Sequence, residues 1–162
     1  MKIKFLKDED FLQYKKPCMF IGAPTCTWKC AKEAGLPCTI CQNYPWSKEP
    51  VQEIENSVII KRYLSNRITK GVVFGGLEPM DNFVDLVQFI YDFRIVADCP
   101  DVIVIYTGYN QEEKLDEVEF LRKKYTNIIF KFGRYKPNYK PHYDKVLGID
   151  LASPNQYGKI IC

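Results

Sequence analysis

Residues 71–108 read GVVFGGLEPMDNFVDLVQFIYDFRIVADCPDVIVIYTG, and they contain one complete strand–helix–strand unit. Gly71–Phe74 is a short apolar run that stops at Gly75-Gly76, as a buried strand followed by a turn would. Phe83, Leu86, Val87, Ile90 and Phe93 follow at the three-and-four spacing of an amphipathic helix. Asp81 or Asn82 is the natural N-cap of that helix. Asp101–Tyr106 (DVIVIY) has the length and β-branched content of a second buried strand, closed by Thr107-Gly108.

The same alternation extends in both directions. Upstream, Cys18–Gly22 predicts a strand that runs into a cysteine-rich loop from Ala23 to about Tyr44. Pro50 stands near the start of a predicted helix over Val51–Leu64, with Ile54, Val58 and Arg62 on one face. Downstream, Leu115, Val118, Leu121 and Tyr125 mark another helix, then Asn127–Phe132 a strand, with a further strand around Val146–Ala152. Repeated strand–helix units imply a parallel α/β sheet with right-handed crossovers. Four or five units predict a partial (β/α) barrel or an open, mostly parallel sheet with flanking helices, in a single domain over residues 1–162. Such sheets carry their chemistry at the C-terminal ends of the strands. The cysteine loop, Gly75-Gly76 and Thr107-Gly108 all fall there, which predicts one site.

Hydrophobic residues make up 46% of the 162 and charged residues 27%, the balance of a chain long enough to bury a core. A net charge of +3 does not call for a nucleic-acid partner. The opening MKIKFLKDED has no apolar run of the kind a secretory signal needs, and no stretch approaches the about 18 apolar residues of a membrane span. A cytoplasmic location without membrane attachment is the expectation.

Seven cysteines are many for this length, and four of them lie between Cys26 and Cys41. In a reducing compartment such clustering reads as metal binding or redox chemistry. Cys26 and Cys30 are separated by three residues, Cys38 follows after seven more, and Cys41 after a further two. Four thiolates at this spacing suit a closed tetrahedral zinc site. Three on an iron–sulfur cluster would instead leave one iron open. The loop alone leaves both readings standing. Cys18 and Cys99 read as small buried hydrophobes, and Cys162 as a free, exposed thiol.

Pro24-Thr-Cys26-Thr-Trp-Lys-Cys30 with Ile40-Cys41-Gln42-Asn43 resembles the cluster loop of the radical S-adenosylmethionine enzymes, and more narrowly that of the activating proteins of anaerobic (class III) ribonucleotide reductase. The resemblance continues at Gly75-Gly76-Leu77-Glu78-Pro79, at Tyr106-Thr107-Gly108-Tyr109 and at Asn155-Gln156. Two features depart from the family pattern. The familiar spacing is C-x-x-x-C-x-x-C, whereas an insert displaces the third ligand here, and Leu77 interrupts a Gly-Gly-Glu-Pro motif. The resemblance implies a 4Fe-4S cluster on Cys26, Cys30 and Cys41, with Cys38 as the alternative third ligand. It also implies S-adenosylmethionine as cofactor, with Ile40, Cys41 and Gln42 beside the adenine. The methionine end would lie at Gly75 and Gly76, with Glu78 accepting from its ammonium.

The chemistry so implied is reductive cleavage of the cofactor to methionine and a 5′-deoxyadenosyl radical, which abstracts hydrogen from a substrate. A low-potential donor such as a flavodoxin or ferredoxin would supply the electron. On the narrow resemblance the partner is the large subunit of anaerobic ribonucleotide reductase and the substrate one of its backbone glycines. Other readings are a radical enzyme with a different substrate, or a non-enzymatic four-cysteine zinc module. Trp28 either shields the cluster or fills the loop. Lys131–Lys145 (KFGRYKPNYKPHYDK) is a solvated proline-rich loop or a docking loop in which Arg134, Tyr135 and Tyr139 touch the partner. His142 has no assigned role.

Overall fold

The computed structural model describes residues 1–162. Its strands in chain order are β1 (Lys2–Ile3), β2 (Phe5–Asp10), β3 (Cys18–Ala23), β4 (Gln52–Glu53), β5 (Gly71–Gly76), β6 (Val102–Tyr106), β7 (Ile128–Phe132), β8 (His142–Asp144), β9 (Ile149–Leu151) and β10 (Tyr157–Ile160). The helices are α1 (Lys29–Glu33), α2 (Asn56–Ser65), α3 (Phe83–Tyr91) and α4 (Leu115–Lys124). Six strands form an open sheet in the order β10-β7-β6-β5-β3-β2. The middle four are parallel, and the two edges are antiparallel. Of the two predicted architectures, the open, mostly parallel sheet is the one formed.

Alternation along each strand divides the core. Met19, Ile21, Val72, Phe74, Ile103, Ile105, Ile128 and Phe130 point to the side carrying α2, α3 and α4. Cys18, Phe20, Val73, Val104 and Ile129 point to the other side, under Tyr14, Leu147 and Leu151. Helix α3 is held by Leu86, Phe89, Ile90 and, in a π-turn that prolongs it, Phe93, all at most 2% exposed. Burying each such side chain contributes about 1.5–3 kcal/mol. Because every long helix covers one face, the opposite face is closed by the loop after β2, by the β8–β9 hairpin and by Trp46, which packs on Phe5.

Several expectations are corrected here. The helix expected from Val51 begins at Asn56, because Gln52 and Glu53 extend to pair with Ile3 and Lys2. Its buried face is Ile59, Ile60 and Tyr63; Val58 is 53% exposed and Arg62 pairs with Asp8 outside. The strand expected around Val146–Ala152 is β9, which pairs with β8 apart from the main sheet. The two antiparallel edges went unseen. Phe5–Asp10 (FLKDED) carries the charges that keep an edge strand from templating another chain, and those charges hide it from a hydrophobic pattern. Cys18 and Cys99 are buried as expected, but Cys162 packs partly buried against the core.

Candidate functional site

The parallel register brings Ala23 beside Gly76 and Tyr106 beside Lys131 at the C-terminal edge of the sheet. The pairing of β3 with β5 is carried past the strand ends by the Glu78 N–H, which donates to the Thr25 carbonyl at 2.9 Å. The cysteine loop and the glycine-rich strand end therefore leave the sheet together.

Asp81 and Asn82, the expected caps of α3, serve this loop instead. Asp81 accepts from the Thr27 N–H at 2.7 Å and from the Tyr109 hydroxyl at 2.7 Å. The Thr25 hydroxyl donates to Asn82 at 3.0 Å, and neither residue caps α3 through its side chain. The capping role passes to Glu78, which accepts from the Met80 N–H at 3.0 Å and starts the turn before α3.

Cys26 and Cys30 are half-buried and line one small cavity with Thr27, Lys29, Glu78, Gly108, Tyr109 and Arg134. The Trp28 N–H donates to Cys26 Sγ at 3.3 Å. Burial pushes the Cys26 thiol up to about 12, with Glu78 and Asp81 adding to the rise. Burial also raises Cys30, against the pull of the Arg134 charge. Gly108 is required by this packing, since a Cβ there would lie 2.5 Å from Cys30 Sγ. Trp28 takes a left-handed backbone (φ 59°) and packs its ring 5.6 Å from that of Tyr44.

Cys38 and Cys41 follow on a single helical turn, both half-buried, and the Cys41 N–H donates to the Cys38 carbonyl at 3.1 Å. Two residues on, the Asn43 amide donates to the Gly76 carbonyl and ties Ile40-Cys41-Gln42 to the glycine strand end. Ile40 is 44% exposed and Gln42 is exposed as well. Gly76 has φ +75°, and a Cβ on it would meet the Phe5 ring at 3.2 Å. The glycine is thus demanded by backbone conformation and by Phe5, as well as by any close-bound ligand.

Glu78 is buried, and its carboxylate accepts from the Gly108 N–H at 2.8 Å as well as from Met80. Burial raises it to about 7 despite those bonds. Sequence reasoning missed Lys131, whose side chain turns into the site from the end of β7. Burial lowers its ammonium to about 8, opposed by Glu78, Cys30 and Cys41 nearby. Its one hydrogen bond is to the Gly133 carbonyl at 3.3 Å, which leaves donors of the ammonium unspent. A lysine inside a basic, tyrosine-rich run reads as surface, so the sequence carried no signal for it. The docking role expected of Arg134 is corrected for the same reason: Arg134 is only 8% exposed and spends its guanidinium on Glu33, Glu113 and Gly108. Tyr139 is exposed and Tyr135 half-buried.

No three Cys, His, Asp or Glu side chains converge on a point that would hold a single metal ion. A cluster makes a different demand, because its thiolates attach to separate irons and stand farther apart than the ligands of one ion. The donors present fit it: the loop thiols are unpaired by disulfides, and the cations Lys131, Arg134 and Lys29 stand around them to balance a thiolate-rich, anionic group.

The site is thus a cysteine loop at the strand ends of an open, mostly parallel sheet. A family model described as a 4Fe-4S single cluster domain matches residues 23–146, more than half of the chain. The chain belongs to that family, and the cofactor this implies is one 4Fe-4S cluster. No curated protein and no solved structure matches the chain. No helix is long and apolar enough to cross a membrane.

Proposed function

We propose that the protein is a radical S-adenosylmethionine enzyme that binds its cluster through Cys26, Cys30 and Cys41. The observation that carries this reading is the bond from Asn43 to the Gly76 carbonyl. It joins the segment of the third thiol to the glycine-rich strand end, the two elements that such an enzyme needs on either side of its cofactor. Together the cluster and cofactor supply reductive cleavage of a sulfonium, with the reactive carbon–hydrogen chemistry that follows from it.

The chain's own residues bind and orient. Cys26 and Cys30, protonated in the free protein, lose their protons to metal binding, because the thiolate is the ligand. Lys131, with ammonium donors unspent, pairs with the carboxylate of the methionine end. Glu78 holds the ends of β5 and β6 together through Met80 and Gly108, and its remaining lone pairs accept from the cofactor ammonium. Ile40 offers an exposed apolar surface to the adenine, and Gln42 stands beside it.

On the narrower resemblance the substrate is a backbone glycine of anaerobic ribonucleotide reductase, and a flavodoxin or ferredoxin donates the electron. The exposed Tyr139 and its neighbours Lys136 and Lys140 contribute to the docking surface. The test is electron paramagnetic resonance on the reconstituted, reduced protein mixed with S-adenosylmethionine and the reductase from the same source. A glycyl-radical doublet is expected. Cofactor cleavage without the doublet would assign the enzyme another substrate.

A further inference from the structure

Arg134 lies just beyond the end of β7, and its side chain is only 9% exposed. Its guanidinium reaches Glu33 through both Nε (2.8 Å) and Nη2 (3.0 Å), the fork geometry that fixes a carboxylate in orientation as well as distance. Nη2 also reaches Glu113 at 2.7 Å, and Nη1 donates to the Gly108 carbonyl. Glu33 closes α1, one helical turn after Cys30, so the fork grips the helix that carries the thiol. The Gly108 carbonyl is also the group that the Cys30 thiol faces, at 3.9 Å. Lys29 at the start of α1 bonds Glu113 and so ties the other end of the helix to the same centre.

The backbone of Arg134 is held as firmly. Its carbonyl accepts from the Asn155 amide at 2.8 Å and the Ser153 hydroxyl at 3.4 Å, and Gln156 bonds the preceding Gly133 carbonyl at 3.4 Å. A five-residue helix has little stability of its own. Something outside it must fix its position, and the Arg134 guanidinium bonds α1, the β6 turn and the segment before α4 at once.

We propose that Arg134 is a positioning residue for the Cys30 ligand: it clamps α1 over the strand ends through Glu33 and sets a permanent positive charge beside the cluster. The proposal rests on Cys30 being a cluster ligand. Two consequences separate the clamp from the charge. Without the clamp α1 loosens and the cluster is lost faster. Without the charge the cluster is harder to reduce, because a neighbouring cation favours the more negative, reduced state.

The experiment uses the full chain, reconstituted anaerobically, as wild type, Glu33→Gln, Arg134→Lys and Arg134→Gln. It measures the rate of iron release to a chelator and the cluster midpoint potential by spectroscopic titration. Glu33→Gln, at a half-exposed position that leaves the fold intact, is expected to release iron several-fold faster at a potential no lower than wild type, because it removes a negative charge and keeps the Arg134 cation. Arg134→Gln should release iron at least as fast and show a lower potential. Arg134→Lys should restore the potential but not the slow release. A wild-type potential in Arg134→Gln overturns the proposal, and so does a wild-type release rate in Glu33→Gln. None of these readouts uses S-adenosylmethionine, so failure of the activity proposed above would leave them intact. Cys30→Ala keeping its cluster would overturn the ligand assignment and this proposal with it.

Discussion

Glu78 makes the stability of the cluster-free protein depend on pH in an unusual direction. Its carboxyl is buried between the ends of β5 and β6, and burial raises it from an ordinary 4.5 to about 7. The folded chain therefore binds more protons than the unfolded chain between those two values, and stability falls as pH rises through that window. At about 1.4 kcal/mol for each pH unit, the full displacement is worth about 3.4 kcal/mol, of which about 2.4 kcal/mol is lost between pH 5 and 7.5. With a urea dependence of about 2 kcal/mol/M, the unfolding midpoint drops by about 1.2 M. Carboxyls displaced the other way do not interfere. Burial raises Glu113, but bonds from Lys29, the Asn110 N–H and Arg134 outweigh it and hold the group at about 2, so it acts only in more acid solution. The assay is urea unfolding at pH 5, 6, 7 and 7.5, on the wild type and on Glu78→Gln, which cannot titrate. The wild-type midpoint should fall and the variant's stay flat. A flat wild-type midpoint, or the same slope in both proteins, would refute the reasoning.

Four substitutions probe the site itself. Cys41→Ala should abolish cluster assembly while Cys38→Ala leaves iron content and absorption near wild type; the reverse pattern moves the third ligand to Cys38. Gly108→Ala places a methyl 2.5 Å from Cys30 Sγ, so iron bound per chain should fall sharply even though a glycine-to-alanine change is otherwise mild. Asn43→Ala removes the tie to Gly76 and leaves its carbonyl short of a donor. A cost of about 1–2 kcal/mol to the closed site should weaken S-adenosylmethionine binding about tenfold, measured by equilibrium binding to the cluster-loaded protein.

The parallel core was legible because it is built from continuous β-branched runs and helices with a clean apolar stripe. Val102–Tyr106 and α3 have no other sensible reading. The edges were not, since the half-buried β2 and the exposed β10 carry polar residues where a buried strand would be apolar. The face of α2 was misread because Ile54 belongs to the extended segment that precedes the helix. At the site, motif spacing drew attention to the cysteines, the glycine pair and Glu78, all of which the fold gathers at one edge. It gave no place at the cysteine site to Lys131, Arg134, Glu33 or Glu113, reading Arg134 only as a docking residue. Those residues come from three separate segments, α1, the turn before α4 and the end of β7, and only the folded chain brings them together. Asp81 and Asn82 show a related limit: residues with cap chemistry were placed where a cap was expected, yet their side chains hold Thr27 and Thr25 of the cysteine loop.

The central claim is that a cluster on Cys26, Cys30 and Cys41 works on S-adenosylmethionine at the Gly76 strand end. The most direct test is to quantify 5′-deoxyadenosine and methionine released by the anaerobically reconstituted, dithionite-reduced protein. Equal amounts of both products are expected from the wild type and none from Cys41→Ala. A wild-type protein that carries its cluster and binds S-adenosylmethionine but releases neither product would contradict the account.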